Sequence, residues 1–176
     1  MLTELSYNCT ISKLLKDIMQ RVITTSIGKL GLQADNHGLT HLWFAETNSR
    51  TDDEHQSAQA AEILDLTEQQ LMAFFAGELD TFDLPLNPKG TEFQRQVWQA
   101  LSKIPFNQTV SYSDIANAIA RPKAVRAVGA ANGANPIPII IPCHRVIGKN
   151  GKLTGYAYGL ALKQTLLDIE AKQNMH

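Results

Sequence analysis

Apolar residues along the chain change their period several times, and the changes outline the elements. Ile11, Leu14, Leu15, Ile18, Met19 and Val22 recur at helical spacing, with Thr10 or Ser12 placed to cap the start. Residues 24–28 read as a turn. From residue 29 to 34 the period shortens to two, Asn36-His37-Gly38 offers a hairpin loop, and residues 39–45 make the return strand. His37 reads as an exposed turn residue, and Trp43 and Phe44 as packing. Residues 46–57 are polar and acidic and read as a surface loop. Ala61, Leu64 and Leu66 begin another helical pattern. Thr67 with Gln70 three residues later fits a capping box for a second helix carrying Leu71, Phe74, Phe75 and Leu79.

Residues 83–90, with two prolines and a closing glycine, read as a linker. They divide an α/β N-terminal domain, residues 1–86, from a mainly α-helical C-terminal domain, residues 87–176. In the second part Thr91 and Gln94 form a further capping box. Phe93, Val97, Trp98, Leu101 and Ile104 mark the buried face of the helix that follows, and Pro105 stops it. Residues 111–120 supply a helix with Ile115, Ala116 and Ile119 inward. Arg121-Pro122-Lys123 interrupts, and residues 124–132 form the next helix, so the pair has the form of a helix-turn-helix. That second helix is nearly bare: Ala124, Ala127, Gly129, Ala130, Ala131, Gly133 and Ala134 surround Arg126. Small side chains allow close approach to another surface, either a packed helix or the floor of a nucleic-acid groove.

The run from Asn135 to Val146 is apolar, β-branched and punctuated by Pro136, Pro138 and Pro142. Prolines remove backbone donors and fix φ, which excludes a helix or a central strand and predicts a rigid extended segment. It ends in Cys143-His144-Arg145. A thiol followed by an imidazole has the form of a nucleophile with a base beside it, because the thiolate is the reactive species. A lone cysteine is as often a small buried hydrophobe. Local pattern leaves both readings open.

Composition and charge narrow the choice. The 176 residues hold two cysteines, Cys9 and Cys143, far apart and with no secretory signal, which predicts reduced thiols and a cytoplasmic protein. No apolar run reaches membrane-spanning length. The net charge of −1 hides an asymmetry: residues 1–90 carry 6 Lys and Arg against 13 Asp and Glu, and residues 91–176 carry 10 against 4. The C-terminal half, at +6, is the one suited to phosphates.

Pro142-Cys143-His144-Arg145 after Asn135-Pro136, with Tyr112 and Arg126 upstream and Glu170 downstream, resembles the O6-alkylguanine-DNA alkyltransferases, also called methylated-DNA–protein-cysteine methyltransferases. The resemblance is dense over residues 91–171 and looser over 20–90, with residues 1–19 an extension. It implies a DNA-repair protein that flips O6-alkylguanine, chiefly O6-methylguanine, out of double-stranded DNA. The alkyl group then passes irreversibly to Cys143, once per molecule. His144 would draw the thiol proton through a water, Glu170 would orient His144, and Asn135 would hold the segment leading to the cysteine. Tyr112 and Lys163 would protonate or stabilise the departing guanine, and Tyr112 would also crowd the target phosphate. Arg126 would fill the vacated stack, with Ala127 and Arg145 among the DNA contacts. Tyr156, Ala157, Tyr158 and Val146 would line the base pocket. The resemblance implies a monomer with no cofactor and no membrane partner.

Two features depart from the family pattern. The pocket loop usually has two glycines after Tyr and a small residue, whereas this chain has Gly155-Tyr156-Ala157-Tyr158-Gly159, so Tyr158 replaces the first glycine. A phenol there either narrows tolerance for bulky adducts or points harmlessly outward. Some members carry N-terminal zinc. Cys9 lacks matching partners, so no metal is expected. A cysteine hydrolase would use the same Cys143 and His144, but with many turnovers and no need for DNA.

Overall fold

The computed structural model describes residues 18–45 and 57–173. Cys9, the start of the expected first helix and most of the expected acidic loop lie outside them. Three strands, β1 (Met19–Thr25), β2 (Gly28–Asp35) and β3 (Gly38–Ala45), form an antiparallel sheet in that order. β1 pairs with β2 from Met19↔Ala34 to Thr25↔Gly28, so Met19 and Val22 belong to a strand and not to the expected helix. Val22 and Ile23 feed a β-branched run into the turn at Ser26-Ile27, and pairing with β2 outweighs the helical spacing upstream. Leu30, Leu32 and Ala34 alternate along one face of β2 and are fully buried. Between them, Gly31 makes room for Trp43: a Cβ there would lie 2.1 Å from the indole. Asp35 turns the hairpin by accepting from the amides of His37 and Gly38.

Helix α1 (Ala58–Ala76) is one continuous element. The expected helix start at Thr67 is therefore absent. Thr67 is fully buried in mid-helix and its Oγ1 donates to the Ile63 carbonyl at 2.7 Å. Neither glycine nor proline interrupts residues 58–76, and Leu64, Leu71 and Phe74 share one buried stripe, so the two patterns merge. Gln70 binds both backbone groups of Asp83. Part of the expected linker is likewise engaged: Leu39 donates to the Pro85 carbonyl and Asn87 to the Leu39 carbonyl, each at 2.8 Å.

Two compact units result, residues up to 72 with Asp83–Asn87, and Ala73–Phe82 with residues from 88 onward. In the second unit α2 (Glu92–Leu101) begins with the expected capping box, both Thr91–Gln94 bonds being present, and buries Val97, Trp98 and Leu101. The Trp98 indole donates to the Ala131 carbonyl at 2.9 Å, tying α2 to α4 (Val125–Gly133). Between them lie the two-residue strand β4 (Val110–Ser111) and α3 (Tyr112–Ala118), which opens with its own capping box from Ser111 and Asp114. β4 pairs in parallel with β5 (Val146–Ile147). α5 (Leu160–Gln173) closes the unit.

The proline-punctuated run is not extended. Residues 137–143 fold into successive tight turns, with backbone bonds from Ile140 to Pro138, Ile141 to Ile137 and Cys143 to Ile141, and Ile139 takes a φ of +75°. The Asn135 side chain closes the coil at both ends, donating to the Ile141 carbonyl at 2.8 Å and accepting from the Ile137 amide at 3.0 Å. Ile137, Ile139, Ile140 and Ile141 are all buried in this coil. The rigidity expected of the prolines is present, in a different shape.

Candidate active site

The coil delivers Cys143 to the start of a single 3-10 turn, Cys143–Arg145, at the floor of a small cavity. Asn132, Asn135, Pro138, Tyr156, Ala157 and Tyr158 are among its walls. Cys143 is 4% exposed. Burial pushes its thiol above the ordinary 9.0, against a hydrogen bond from Asn135 and the Lys163 ammonium, both of which favour the thiolate. The resting residue is therefore a thiol that needs a base.

His144 is the next residue in the chain. Its Nε2 lies 2.7 Å from Glu170 Oε1, and both side chains are fully buried. Glu170 also accepts from Arg145 through Nε and Nη2 at 3.0–3.1 Å, and from the Asn107 amide at 3.0 Å. An ionised carboxylate only accepts, so Nε2 carries the imidazole proton and Nδ1 keeps its lone pair. Nδ1 is buried and has no hydrogen-bond partner among the described residues. Arg145 already matches the Glu170 charge, so a second cation in this enclosed cluster would be uncompensated. Burial accordingly holds His144 below its ordinary 6.5, although Glu170 pulls the other way. Burial alone would raise Glu170, but the bonds and charges of His144 and Arg145 hold it below 4.5.

These two depressed values have one sign for stability, because the unfolded chain takes up both protons first as pH falls. The contribution of His144 is complete above 6.5 and is lost as pH drops toward its folded value, and Glu170 adds the same dependence below 4.5. We expect a thermal midpoint that is flat through neutrality and falls on the acid side. A midpoint that rises between pH 6.5 and 4.5 would contradict the neutral imidazole.

The remaining expected residues divide. Arg145, expected among the DNA contacts, is instead 6% exposed, donates to Glu170 and to the Ile104 carbonyl, and stacks over Phe106, so its guanidinium is engaged inside the unit. Val146 is fully buried and is not among the cavity walls; its carbonyl instead accepts from Lys163 Nζ at 2.5 Å. Lys163 is buried too, and donates also to the Thr154 carbonyl at 2.8 Å. It ties the pocket loop to the cysteine turn and acts on the thiol through its charge. Tyr112 is half-buried against Gly129 of α4, with its hydroxyl donating to the carbonyls of Thr154 and Gly155. Tyr158, 38% exposed, lines the mouth with its ring edge-on to Tyr156 at 5.9 Å between centroids, so it is not turned away from the cavity. α4 buries Val128, Ala131 and Asn132 and leaves Arg126, Ala127, Ala130 and Gly133 exposed. One face of small residues packs into the unit and the other is open.

Sequence reasoning missed Asn107 and Asn132. The first acts through its backbone amide, which no residue type signals, although a non-glycine at φ +55° marks a shaped loop. Among the described residues no group of three or more His, Cys, Asp or Glu is placed to hold a metal ion, and no helix is long and apolar enough to cross a membrane.

Comparison with known proteins gives consistent results over nearly all the described chain. Residues 18–88 match the model of the 6-O-methylguanine DNA methyltransferase ribonuclease-like domain, and residues 92–172 that of the DNA-binding domain of the same proteins. The methylated-DNA–protein-cysteine methyltransferase of Methanosarcina acetivorans is 48% identical over 149 residues, covering 85% of this chain and 96% of that protein. The constitutive enzyme of Bacillus subtilis is 48% identical over 150 residues, covering 83% and 91%. A crystal structure of Mycobacterium tuberculosis OGT in complex with DNA superposes with a TM-score of 0.77 at 46% identity, covering 88% of this chain and 94% of the other.

Proposed function

Because the chain belongs to the methylated-DNA–protein-cysteine methyltransferases, we propose that Cys143 is its alkyl acceptor and O6-alkylguanine in double-stranded DNA its substrate. The protein is a DNA-repair methyltransferase. The observation that carries the residue assignment is the tautomer of His144: Glu170 holds the proton on Nε2 and leaves the Nδ1 lone pair as the base for the neighbouring thiol. His144 takes the thiol proton through a water. Sγ bonds to the alkyl carbon as the carbon–O6 bond breaks, and the electron pair stays on the guanine, which is then protonated. Tyr112, whose hydroxyl lies against the Thr154 and Gly155 carbonyls of the pocket loop, is the residue assigned to give that proton. Asn135 and Lys163 steady the thiolate. The product is a thioether that nothing in the site can reverse.

The exposed face of α4, with Arg126 and Ala127 among small residues, is the surface that meets the minor groove, Arg126 filling the gap left by the rotated base. All these groups belong to one unit of one chain, which supports a monomer, and a reactive thiol supports the reducing cytoplasm. The hydrolase reading makes the opposite prediction in stoichiometry. Mixed with excess O6-methylguanine duplex, the protein is expected to stop at one transfer per molecule, and a fresh aliquot of DNA restores nothing. Continued turnover would reject the acceptor assignment.

Tyr158 stands at the mouth in place of the family's glycine. Tyr158→Gly is expected to speed transfer from O6-benzylguanine by about tenfold, the scale of steric exclusion in an apolar pocket, and to change O6-methylguanine transfer little. Equal benzyl rates in the two proteins would show that the phenol is no barrier.

A further inference from the structure

A buried carboxylate beside an imidazole ordinarily draws a second proton onto the ring. In this protein the carboxylate is claimed twice. Besides meeting His144, each Glu170 oxygen lies 3.1 Å from Arg145 Nε, and Oε1 also lies 3.0 Å from Nη2. Arg145 Nη1 donates to the Ile104 carbonyl at 2.7 Å, and the guanidinium sits 5.6 Å from the centre of the Phe106 ring. Held from three sides and 6% exposed, the guanidinium keeps its charge on the carboxylate.

Three charged groups act on His144. Glu170, on α5, favours the imidazolium, whereas Arg145, on the same turn as His144, and Lys163, on α5, oppose it. Lys163 is committed to the Val146 and Thr154 carbonyls and makes no bond to Glu170 among the described residues. The titratable neighbour on the turn is the Cys143 thiol, whose proton the imidazole takes, so the two titrate as a pair. The pair reacts when it holds one proton and is blocked when it holds two. With Arg145 present, Glu170 is already neutralised, and a second proton would place an unpartnered cation in the enclosed cluster. Without it, Glu170 is a lone buried carboxylate whose nearest counter-ion is a protonated His144, 2.7 Å away.

Resting on the alkyl-transfer reading above, we propose that Arg145 is a positioning residue for the transfer: by neutralising Glu170 it sets the pH below which Cys143 loses its base.

The test is the single-turnover rate constant with O6-methylguanine duplex in saturating excess, at about pH 8.5 and about pH 6.5, for wild type, Arg145→Gln and Arg145→Lys. A first-order constant measured this way does not depend on how much of the preparation is folded. Wild type is expected to slow by no more than about twofold at the lower pH, since an imidazole held below its ordinary 6.5 is more than half neutral there. Arg145→Gln keeps a donor to the carboxylate without the charge. It is expected to slow by about tenfold or more over the same interval, the scale on which one neighbouring charge moves a titration. Arg145→Lys returns the charge and is expected to return most of the wild-type pH dependence. Nitrogen NMR at neutral pH reads the same change on the ring, neutral and protonated at Nε2 in wild type and an imidazolium in Arg145→Gln. Where Arg145→Gln folds poorly, Arg145→Met, which keeps the packing on Phe106, carries the same comparison. An arginine that serves structure alone would lower the rate and leave its pH dependence untouched. Equal pH dependence in wild type and the uncharged variants, or a lysine variant that follows Arg145→Gln, overturns the assignment while leaving alkyl transfer intact. Failure of wild type to transfer at either pH refutes the alkyl-transfer reading and this proposal with it.

Discussion

Cys143→Ala is expected to abolish alkyl transfer completely while the protein still binds duplex DNA. The substitution removes the sulfur assigned as the acceptor, while His144 is turned onto Glu170 and Lys163 Nζ is engaged by two carbonyls. The surface assigned to DNA, around Arg126 on α4, is separate from the thiol and keeps its shape, because α4 is held by Trp98 and by Val128 in the core. Transfer of labelled methyl to protein, followed beside a mobility shift on the same oligonucleotide, measures both properties. Residual transfer at more than trace level would mean that another residue accepts the group.

Glu170→Ala is the second substitution with a large expected effect, and it acts on stability as well as on chemistry. The fully buried carboxylate receives His144, Arg145 and the Asn107 amide. Its removal strands a buried guanidinium whose other bond goes to the Ile104 carbonyl. Breaking a buried pair from one side costs about 3–5 kcal/mol, and the unfolding transition of the C-terminal unit should move by that amount in denaturant titration. His144 would lose its tautomeric constraint as well, so transfer by the remaining folded protein should slow by about a hundredfold or more, the scale of a lost general base. Glu170→Gln retains the shape and an acceptor oxygen, and is expected to recover part of the stability but little of the rate. A Glu170→Ala protein as stable as wild type would contradict the buried charge cluster.

Where local rules act alone, the chain could be read directly. The Thr91–Gln94 box, the β2–β3 hairpin and the helix pair ending at Gly133 all follow from neighbours in sequence. Thr67 shows the limit of such reading: the residues of a capping box were present, but an uninterrupted apolar stripe carried the helix through them. Met19 and Val22 show another, since a helical spacing yielded to hairpin pairing with β2 across the turn at Ser26-Ile27. In the site, Cys143 and His144 stood out as adjacent residues of unusual chemistry. Their partner Glu170 lies 26 positions on and has no local signature, so only the family resemblance pointed to it. Arg145 was misplaced because a cation in a basic half invites a DNA role, while its buried carboxylate partner is visible only in three dimensions. Asn132 escaped notice for the complementary reason. It is an ordinary polar residue on a bare helix until it is seen among the walls of the thiol cavity.

In the proposed reaction a carbon atom leaves guanine and stays on Cys143. Fully reduced protein incubated with an O6-methylguanine duplex, then digested and examined by peptide mass spectrometry, tests it without kinetics or binding as intermediaries. One added CH2 group is expected on the peptide containing Cys143, located on sulfur by fragmentation, with unmodified DNA giving none. An unmodified Cys143 peptide from reduced protein, or the added group on another residue, would contradict it.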